Sequence, residues 1–437
     1  MNHELFNSDH AFIGLQAIRQ LKGEWFWSLW GSTYQGPIEA QVISLLIPVF
    51  GVSNLVLFLG PMIAFVLCLW LCFKIFSENT TPFRTFLLLL FLAVGARIYM
   101  VQQVIPYRQW CILFILVSLY FSLRKKPLTK VQSFLMGFAP FFAYYTDNFV
   151  IQFLPAVFLC SYLRNYYREK SFYLFFGNIL GAVFIAIVAK LMPEGMGAPV
   201  SFSIHFPNTA LFFKECLPEI FSLKWIAFFL LGYFVFQSAR VVAKKNVSLE
   251  LKLSFLFGLV SFLSCVGGFC GKHLIMDKHA VRYLTPLIYS IPFLLLPYFS
   301  ESKKKDVLLL VPYFMGVVAL LNFSKPICPS YDFWRKVQPW LEEKKVLCGY
   351  SNYWLAYQYT FLANEKVIVV PRELPFTGPN RYLPYKETVK NCPVVVEIFL
   401  PQEQALKDSL VKEWKSKKWI ENIFESEQYA AIVRKNL

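Results

Sequence analysis

Apolar residues run in long blocks over most of this chain, and charged residues collect in the gaps between them. A helix that crosses a bilayer takes roughly 20 mostly apolar residues. Blocks of this kind lie at 56–76, 85–101, 107–123, 131–145, 148–163, 172–191, 224–239, 253–271, 283–299 and 306–322. The pattern predicts about ten spanning helices, several of them short. Thr146-Asp147-Asn148 interrupts the fourth and fifth blocks. Hydropathy leaves two readings there, a tight hairpin or one broken helix.

The segments on either side follow other periods. From Asp9 to Gly23 the chain reads as a short amphipathic helix. Asn7 or Ser8 caps its start, Phe12, Leu15, Ile18 and Leu21 recur at helical spacing, and Gly23 ends it. A second apolar stretch, Ile43 to Val52, is too short to span and meets Gly51. Both suit helices lying in the plane of the membrane interface. After Asn322 strands and helices alternate. Val346–Gly349, Lys366–Val370 and Val394–Phe399 read as strands, Asn352–Leu362 and Gln402–Lys415 as helices, and Glu421–Arg434 as a closing strand pair. The predicted fold class is an all-α polytopic membrane protein with a small C-terminal α/β domain. Its parts are an external segment with interfacial helices (1–55), a transmembrane helical domain (56–322) and an α/β domain (323–437).

Composition agrees with this reading. Hydrophobic residues make up 57% and charged residues 16%, where soluble domains carry roughly 25% charged. The net charge of +16 forms no basic stripe interleaved with aromatics along one element, which argues against nucleic acid. The basic residues instead mark alternate loops: Arg124-Lys125-Lys126, Arg164/Arg168/Lys170, Arg240/Lys244/Lys245 and Lys303-Lys304-Lys305. The positive-inside rule puts these loops in the cytoplasm. The other side then holds 1–55, 102–108, 192–223, 272–282 and everything after 322. Cys68, Cys72, Cys111, Cys160, Cys265 and Cys270 lie in apolar runs as small hydrophobes. Cys328, Cys348 and Cys392 leave room for a disulfide if the last domain is extracytoplasmic. No Cys/His spacing points to zinc.

The chemistry-bearing residues gather on the external side. Asp9 and Glu39 lie in the first segment, and Asp147 at the outer end of a span. Arg97 and Arg108 flank one external loop, while Lys272, His273, Asp277, Lys278, His279 and Arg282 crowd another. Charge beside a span is costly and is by default a sign of function. A carboxylate opposite a cationic cluster suits transfer chemistry on a lipid phosphate. The carboxylate takes a proton from an acceptor hydroxyl, and an arginine fork neutralises the leaving phosphate.

Residues 8–50 resemble the first external loop of the GT-C glycosyltransferases, especially bacterial relatives of protein O-mannosyltransferases and lipid A aminoarabinose transferases. Tyr34, Gly36, Pro37 and Glu39 match that loop's tyrosine-glycine-small-x-glutamate element. Arg282-Tyr283-Leu284-Thr285-Pro286-Leu287 is similar to the arginine-tyrosine-x-x-proline segment that opens a late helix of the family. The run from Gly349 to Tyr357, with Asn380-Arg381-Tyr382, resembles the external domain of some members.

The resemblance implies a transfer of sugar, with inversion, from a polyprenyl-phosphate donor to a lipid, glycan or protein acceptor outside the cytoplasm of a bacterial inner membrane. It implies Asp9 as general base with Glu39 beside it. Arg282, Tyr283, Lys278, Tyr34, Arg108 and Asp147 are the expected substrate and phosphate contacts. His10 stands where the family has a second acid, so no metal and no cofactor are expected. The family also places a spanning helix before this loop, and such a segment is expected upstream of the recorded start. The competing reading is a transporter or flippase for a lipid-linked glycan, which would share the charged cavity but would not need Asp9.

Overall fold

The computed structural model describes residues 8–32, 35–100, 108–192, 224–269, 285–301, 329–372, 381–426 and 429–436. They fall into two compact units. One contains Pro61–Phe323 with Tyr34–Gly36, and the other contains Met1–Thr33, Pro37–Gly60 and Ser324–Leu437.

The first of these is helical. Helices α3 (Asn54–Ser77), α4 (Pro82–Met100), α5 (Gln109–Leu123), α6 (Lys130–Thr146), α7 (Leu154–Arg164), α8 (Phe172–Leu191), α9 (Lys224–Val242), α10 (Leu249–Phe269) and α11 (Thr285–Glu301) cover nine of the ten predicted spans. The tenth, 306–322, is outside the described residues. By length and composition, Asn54–Ser77, Phe172–Leu191 and Leu249–Gly268 suffice to cross a membrane among the described residues. The core runs through Cys68, Cys72, Ile112, Leu116, Phe153, Cys160, Phe257 and Phe293, all buried, so these cysteines do pack as small hydrophobes. Helices α6 and α8 approach through glycine. A Cβ on Gly137 would lie 2.3 Å from the Leu174 carbonyl oxygen, and one on Gly177 would lie 2.3 Å from that of Phe134. Small residues are what let membrane helices meet at backbone distance.

The break at Asp147 is a hairpin. Asp147 is extended (φ −163°, ψ 125°) and caps a 3₁₀ turn, Asn148–Gln152, before α7. The chain then returns to where α6 began, since Arg164 Nη2 donates to the Lys126 carbonyl at 2.9 Å and Glu169 accepts from the Leu128 N–H at 3.1 Å. Further bonds bring Lys125, Arg168 and Lys244 to that same end. Lys125 Nζ donates to the Glu78 carbonyl at 2.6 Å, Arg168 pairs with Glu250 at 2.5 Å, and Lys244 pairs with Glu301. Arg84 Nη1 reaches the Phe299 carbonyl at 2.6 Å. The described residues of the loops at 124–126, 164–170 and 240–245 thus share one end of the bundle; Lys303-Lys304-Lys305 lie outside the described residues.

The other unit joins helices α1 (Ser8–Leu21) and α2 (Ile38–Phe50) to an α/β fold. Its remaining elements are α12 (Pro329–Glu343), β1 (Cys348–Ser351), α13 (Tyr353–Leu362), β2 (Ile368–Pro371), α14 (Leu383–Lys390), β3 (Val394–Phe399), α15 (Gln404–Ser416), β4 (Ile420–Glu425) and β5 (Ala430–Lys435). The sheet order is β2-β1-β3-β5-β4, with β2, β1 and β3 parallel and β5 antiparallel to both neighbours. Every predicted strand and helix of this part is present. Two helices, α12 and α14, were not read from the sequence. Helix α12 packs Phe333, Trp334, Val337 and Leu341 into the core, with Trp334 stacked on Tyr359 at 4.4 Å. Cys348 and Cys392 form a disulfide, with their Cα atoms 6.4 Å apart.

The two expected interfacial helices have different surroundings. Helix α2 exposes Leu45, Val49 and Phe50 and stops at Gly51, whose φ is +70°. It begins five residues before the stretch read from the sequence, at Ile38. Helix α1 is instead buried on every side from His10 to Ile18. Its apolar spacing serves a core because α2 and α13 cover it. The buried amide of Gln16 is satisfied by the Ser28 carbonyl at 2.9 Å and the Trp30 N–H at 3.0 Å.

Candidate functional site

Asp9 lies in the first turn of α1; its side chain is outside the described atoms. The helix that carries it is closely fitted. A Cβ on Gly14 would meet the Phe361 ring at 2.5 Å and Leu57 at 2.6 Å, so α1 approaches α13 and α3 at a distance only glycine allows. His10 is buried beside Asp9. Glu39 occupies the first turn of α2, where a carboxylate suits the helix dipole, and is half-buried. Its Cγ lies 4.0 Å from a Cβ built on Gly60, in the first part of α3.

Arg381 stands over the same helix. Its guanidinium carbon is 5.0 Å from the centroid of the Phe12 ring. Nε donates to the Tyr353 hydroxyl at 3.1 Å, Nη1 to the Gly31 carbonyl at 2.7 Å, and its backbone N–H to the Tyr357 hydroxyl at 2.6 Å. Gly31 has φ +62°, and a Cβ there would come 2.7 Å from Arg381 Cδ. Glycine is needed at 31 both for the left-handed backbone and for the arginine stem. Burial pushes the Tyr357 hydroxyl up to about 12, so it stays a neutral acceptor for that N–H.

The far end of α1 is held by charge. Glu365, 5% exposed, accepts from Arg19 Nε at 2.6 Å, from Lys22 and from the Tyr385 hydroxyl. Burial alone would raise its carboxyl, but Lys22, Tyr385 and Arg19 outweigh burial and hold it below the ordinary carboxylate range. Burial and the Glu365 charge together push the Tyr385 hydroxyl well up. Tyr382 donates to Glu24 at 2.9 Å and stacks on Trp30 at 4.0 Å; burial, then that carboxylate, raise it to about 12. Arg19 also lies over the rings of Tyr382 and Tyr385, at 5.7 and 5.4 Å.

In the helical unit the structure joins two of the expected residues. Arg108 Nη1 pairs with Asp147 Oδ1 at 3.2 Å, and both side chains are nearly buried. Arg108 is left-handed (φ 67°) immediately before α5, and its guanidinium lies 4.8 Å over the Phe149 ring. Asp147 accepts as well from Gln35 Nε2 at 2.6 Å and from the Phe149 N–H at 2.9 Å. Gln35 bridges to Asp147 as a short antiparallel pair, and the Gly36 N–H donates to the Tyr145 carbonyl at 2.9 Å. Asp147 therefore fastens the Gln35-Gly36 element to the tip of the hairpin and orients Arg108. The sequence marked Arg108, Asp147 and Gly36, but not Gln35, and gave no sign that they meet. Tyr34, Lys278, Arg282 and Tyr283 are outside the described residues. Among the described residues no group of three or more His, Cys, Asp or Glu is placed to hold a metal ion.

No family model and no curated protein matches the chain by sequence. Its structure is similar to two crystal structures of ArnT from Cupriavidus metallidurans, one in the apo state and one bound to undecaprenyl phosphate. Each has a TM-score of 0.60, with 100% of this chain and 94% of the other covered, at 11% and 10% sequence identity. ArnT is an aminoarabinose transferase of the GT-C class. The chain shares its fold from end to end, in keeping with the resemblance read from the sequence.

Proposed function

We propose that this protein is a membrane glycosyltransferase that moves a sugar from a polyprenyl-phosphate carrier to an extracytoplasmic acceptor, whether lipid, glycan or protein. The observation that carries this reading is the full-length likeness to ArnT, one of whose structures holds undecaprenyl phosphate. Asp9 takes the proton of the acceptor hydroxyl, whose oxygen attacks the anomeric carbon with inversion. The bond from that carbon to the phosphate oxygen breaks, and the lipid phosphate leaves with the electron pair. Arg282, with Tyr283 and Lys278, neutralises the departing phosphate. Tyr34 and Glu39 orient the sugar and the acceptor, and Arg108, held by Asp147, adds positive charge. General-base catalysis is worth about 10²–10⁴-fold.

The same proposal places the chain in a bacterial inner membrane with about ten spans, its basic loops cytoplasmic and its α/β domain outside. The shared end of the basic loops supports that orientation, and so does the Cys348–Cys392 disulfide, a bond of oxidising compartments. No metal or cofactor enters the reaction as proposed. Mass spectrometry of envelope lipids, glycans and proteins, with and without the gene, tests the function. Loss of one sugar from one acceptor is the expected result. Loss of that sugar together with a lipid-linked glycan stranded on the cytoplasmic leaflet, rather than the outer one, would overturn it in favour of transport.

A further inference from the structure

We infer that the basic end of α6 and α8 holds an anionic phospholipid, its phosphate among Lys126, Lys130 and Lys170 and its acyl chains along α8. This rests on the membrane reading of the chain and not on the transfer chemistry. The two helices run side by side in the same direction, since the ring contacts Phe134–Phe176, Phe138–Phe184 and Tyr145–Phe184 climb both together. Their first turns therefore stand next to each other, and Lys130 Nζ lies over the Tyr173 ring at 5.6 Å. The chain beneath them is firmly tied. Arg164, fully buried, donates from Nε to Glu169 at 3.0 Å and from Nη2 to the Lys126 carbonyl at 2.9 Å. The Lys170 N–H donates to the Asn165 carbonyl and the Ser171 N–H to Asn165 Oδ1, both at 2.8 Å, and Lys170 is left-handed with φ 45°.

Charge on this frame is one-sided. The carboxylates of Glu169 and Glu250 are nearly buried and are taken up by Arg164 and Arg168. Glu78 accepts from the Lys125 N–H. Lys126, Lys130 and Lys170 are exposed and form no ion pair among the described residues. Basic clusters between spans are where anionic headgroups bind. The surface beside them suits the rest of such a lipid. Helix α8 is less covered by protein than α3 or α10. Phe172, Phe176, Ile179, Val183 and Ile187 are exposed on it at helical spacing, a stripe for acyl chains. Tyr162, Tyr166 and Tyr167 are exposed at the rim, with the Tyr166 ring 6.4 Å from one neighbour and 5.0 Å from the other. Aromatic residues of this kind mark the headgroup level. A general belt would respond to loss of charge anywhere at this end, whereas a site responds to these lysines.

The test uses the full-length protein in detergent and native mass spectrometry of the lipids it retains from an equal mixture of phosphatidylglycerol and phosphatidylcholine. The wild type retains phosphatidylglycerol in preference. Each lysine at an anionic headgroup changes affinity about fivefold, so Lys126→Gln/Lys130→Gln/Lys170→Gln lowers retention of phosphatidylglycerol by about 10²-fold. Lys74→Gln/Lys244→Gln/Lys245→Gln removes the same charge from other elements at that end and keeps the preference. Equal losses in the two variants would mean a general basic belt and overturn the inference, as would an undiminished preference in the first. If the first variant does not fold, crosslinking of the wild type decides. Phosphatidylglycerol with a diazirine on its headgroup labels residues within 126–130 and 165–173, and labelling confined to other segments refutes the site. Sugar transfer measured on the same samples bears on the glycosyltransferase reading alone, because lipid retention needs no transfer.

Discussion

Replacing Glu365 by Gln should loosen α1 from the α/β fold without unfolding the rest of the protein. The carboxylate is 5% exposed and accepts from three donors. Hydrogen bonds to charged groups are worth about 1.5–3 kcal/mol each, but the donors differ in what they lose. The Lys22 side chain is 53% exposed and can return to water, so its share is near that of a surface pair, about 0–1 kcal/mol. Arg19, at 24%, is partly shielded and keeps its aromatic contacts. Gln retains one acceptor oxygen for Arg19 or Tyr385. The net loss is about 2 kcal/mol, or about thirtyfold in the local opening equilibrium. Hydrogen exchange of the α1 amides, read by mass spectrometry, should speed up by that order, while exchange in α5 and α6 stays as it was. Glu425→Gln, at the exposed pair with Lys407, is the control and should change nothing. Unchanged α1 exchange in Glu365→Gln would refute the view that this ion cluster holds the helix. The pH dependence has a fixed sign. The Glu365 carboxyl lies below its ordinary value when folded, so its contribution is complete above the unfolded value, about 4.3. It is lost as pH falls from there through the folded value, and α1 exchange should rise over that window.

Other substitutions reach the remaining parts of the structure. Gly137→Leu drives a side chain into the Leu174 carbonyl and should lower the thermal midpoint in detergent by an overpacking cost of at least about 1–3 kcal/mol. Gly232→Leu, with nothing within 4 Å, should not. Cys348→Ser should cost the α/β unit about 2–4 kcal/mol, and alkylation of unfolded, unreduced wild-type protein should leave Cys348 and Cys392 unmodified. Reporter fusions after Lys126 and Lys304 should be active in the cytoplasm and one after Trp340 outside; a cytoplasmic signal at Trp340 would invert the proposed orientation.

The helical unit was largely readable because lipid leaves little choice: long apolar blocks must be helices, and loop charge marks one end. The sheet was readable because Val394–Phe399 and its fellows are short β-branched runs between polar turns. Helix α12 was missed although Phe333, Trp334, Val337 and Leu341 recur at helical spacing, because Pro339 lies inside it and argues for a break. The burial of α1 could not be read at all. Its periodicity is that of an interfacial helix, and what buries it is chain far away in sequence. The Arg19–Glu365 and Arg381–Gly31 contacts join residues 346 and 350 positions apart, and no local pattern encodes such partners. Asp147 and Arg108 were suspected one at a time as charges beside spans, but their pairing depends on the hairpin, which hydropathy left open.

The central claim is that Asp9 is the base of a sugar transfer from a polyprenyl phosphate. Asp9→Asn tests it, since the amide keeps the size of the carboxylate but cannot take the proton. The measurement is transfer of a labelled sugar from polyprenyl phosphate to the native acceptor, with binding of the donor and a thermal melt followed on the same samples. The account predicts unchanged melting, retained donor binding through Arg282 and its neighbours, and turnover lower by about 10²–10⁴-fold. Near-wild-type turnover in a folded Asp9→Asn protein would contradict it.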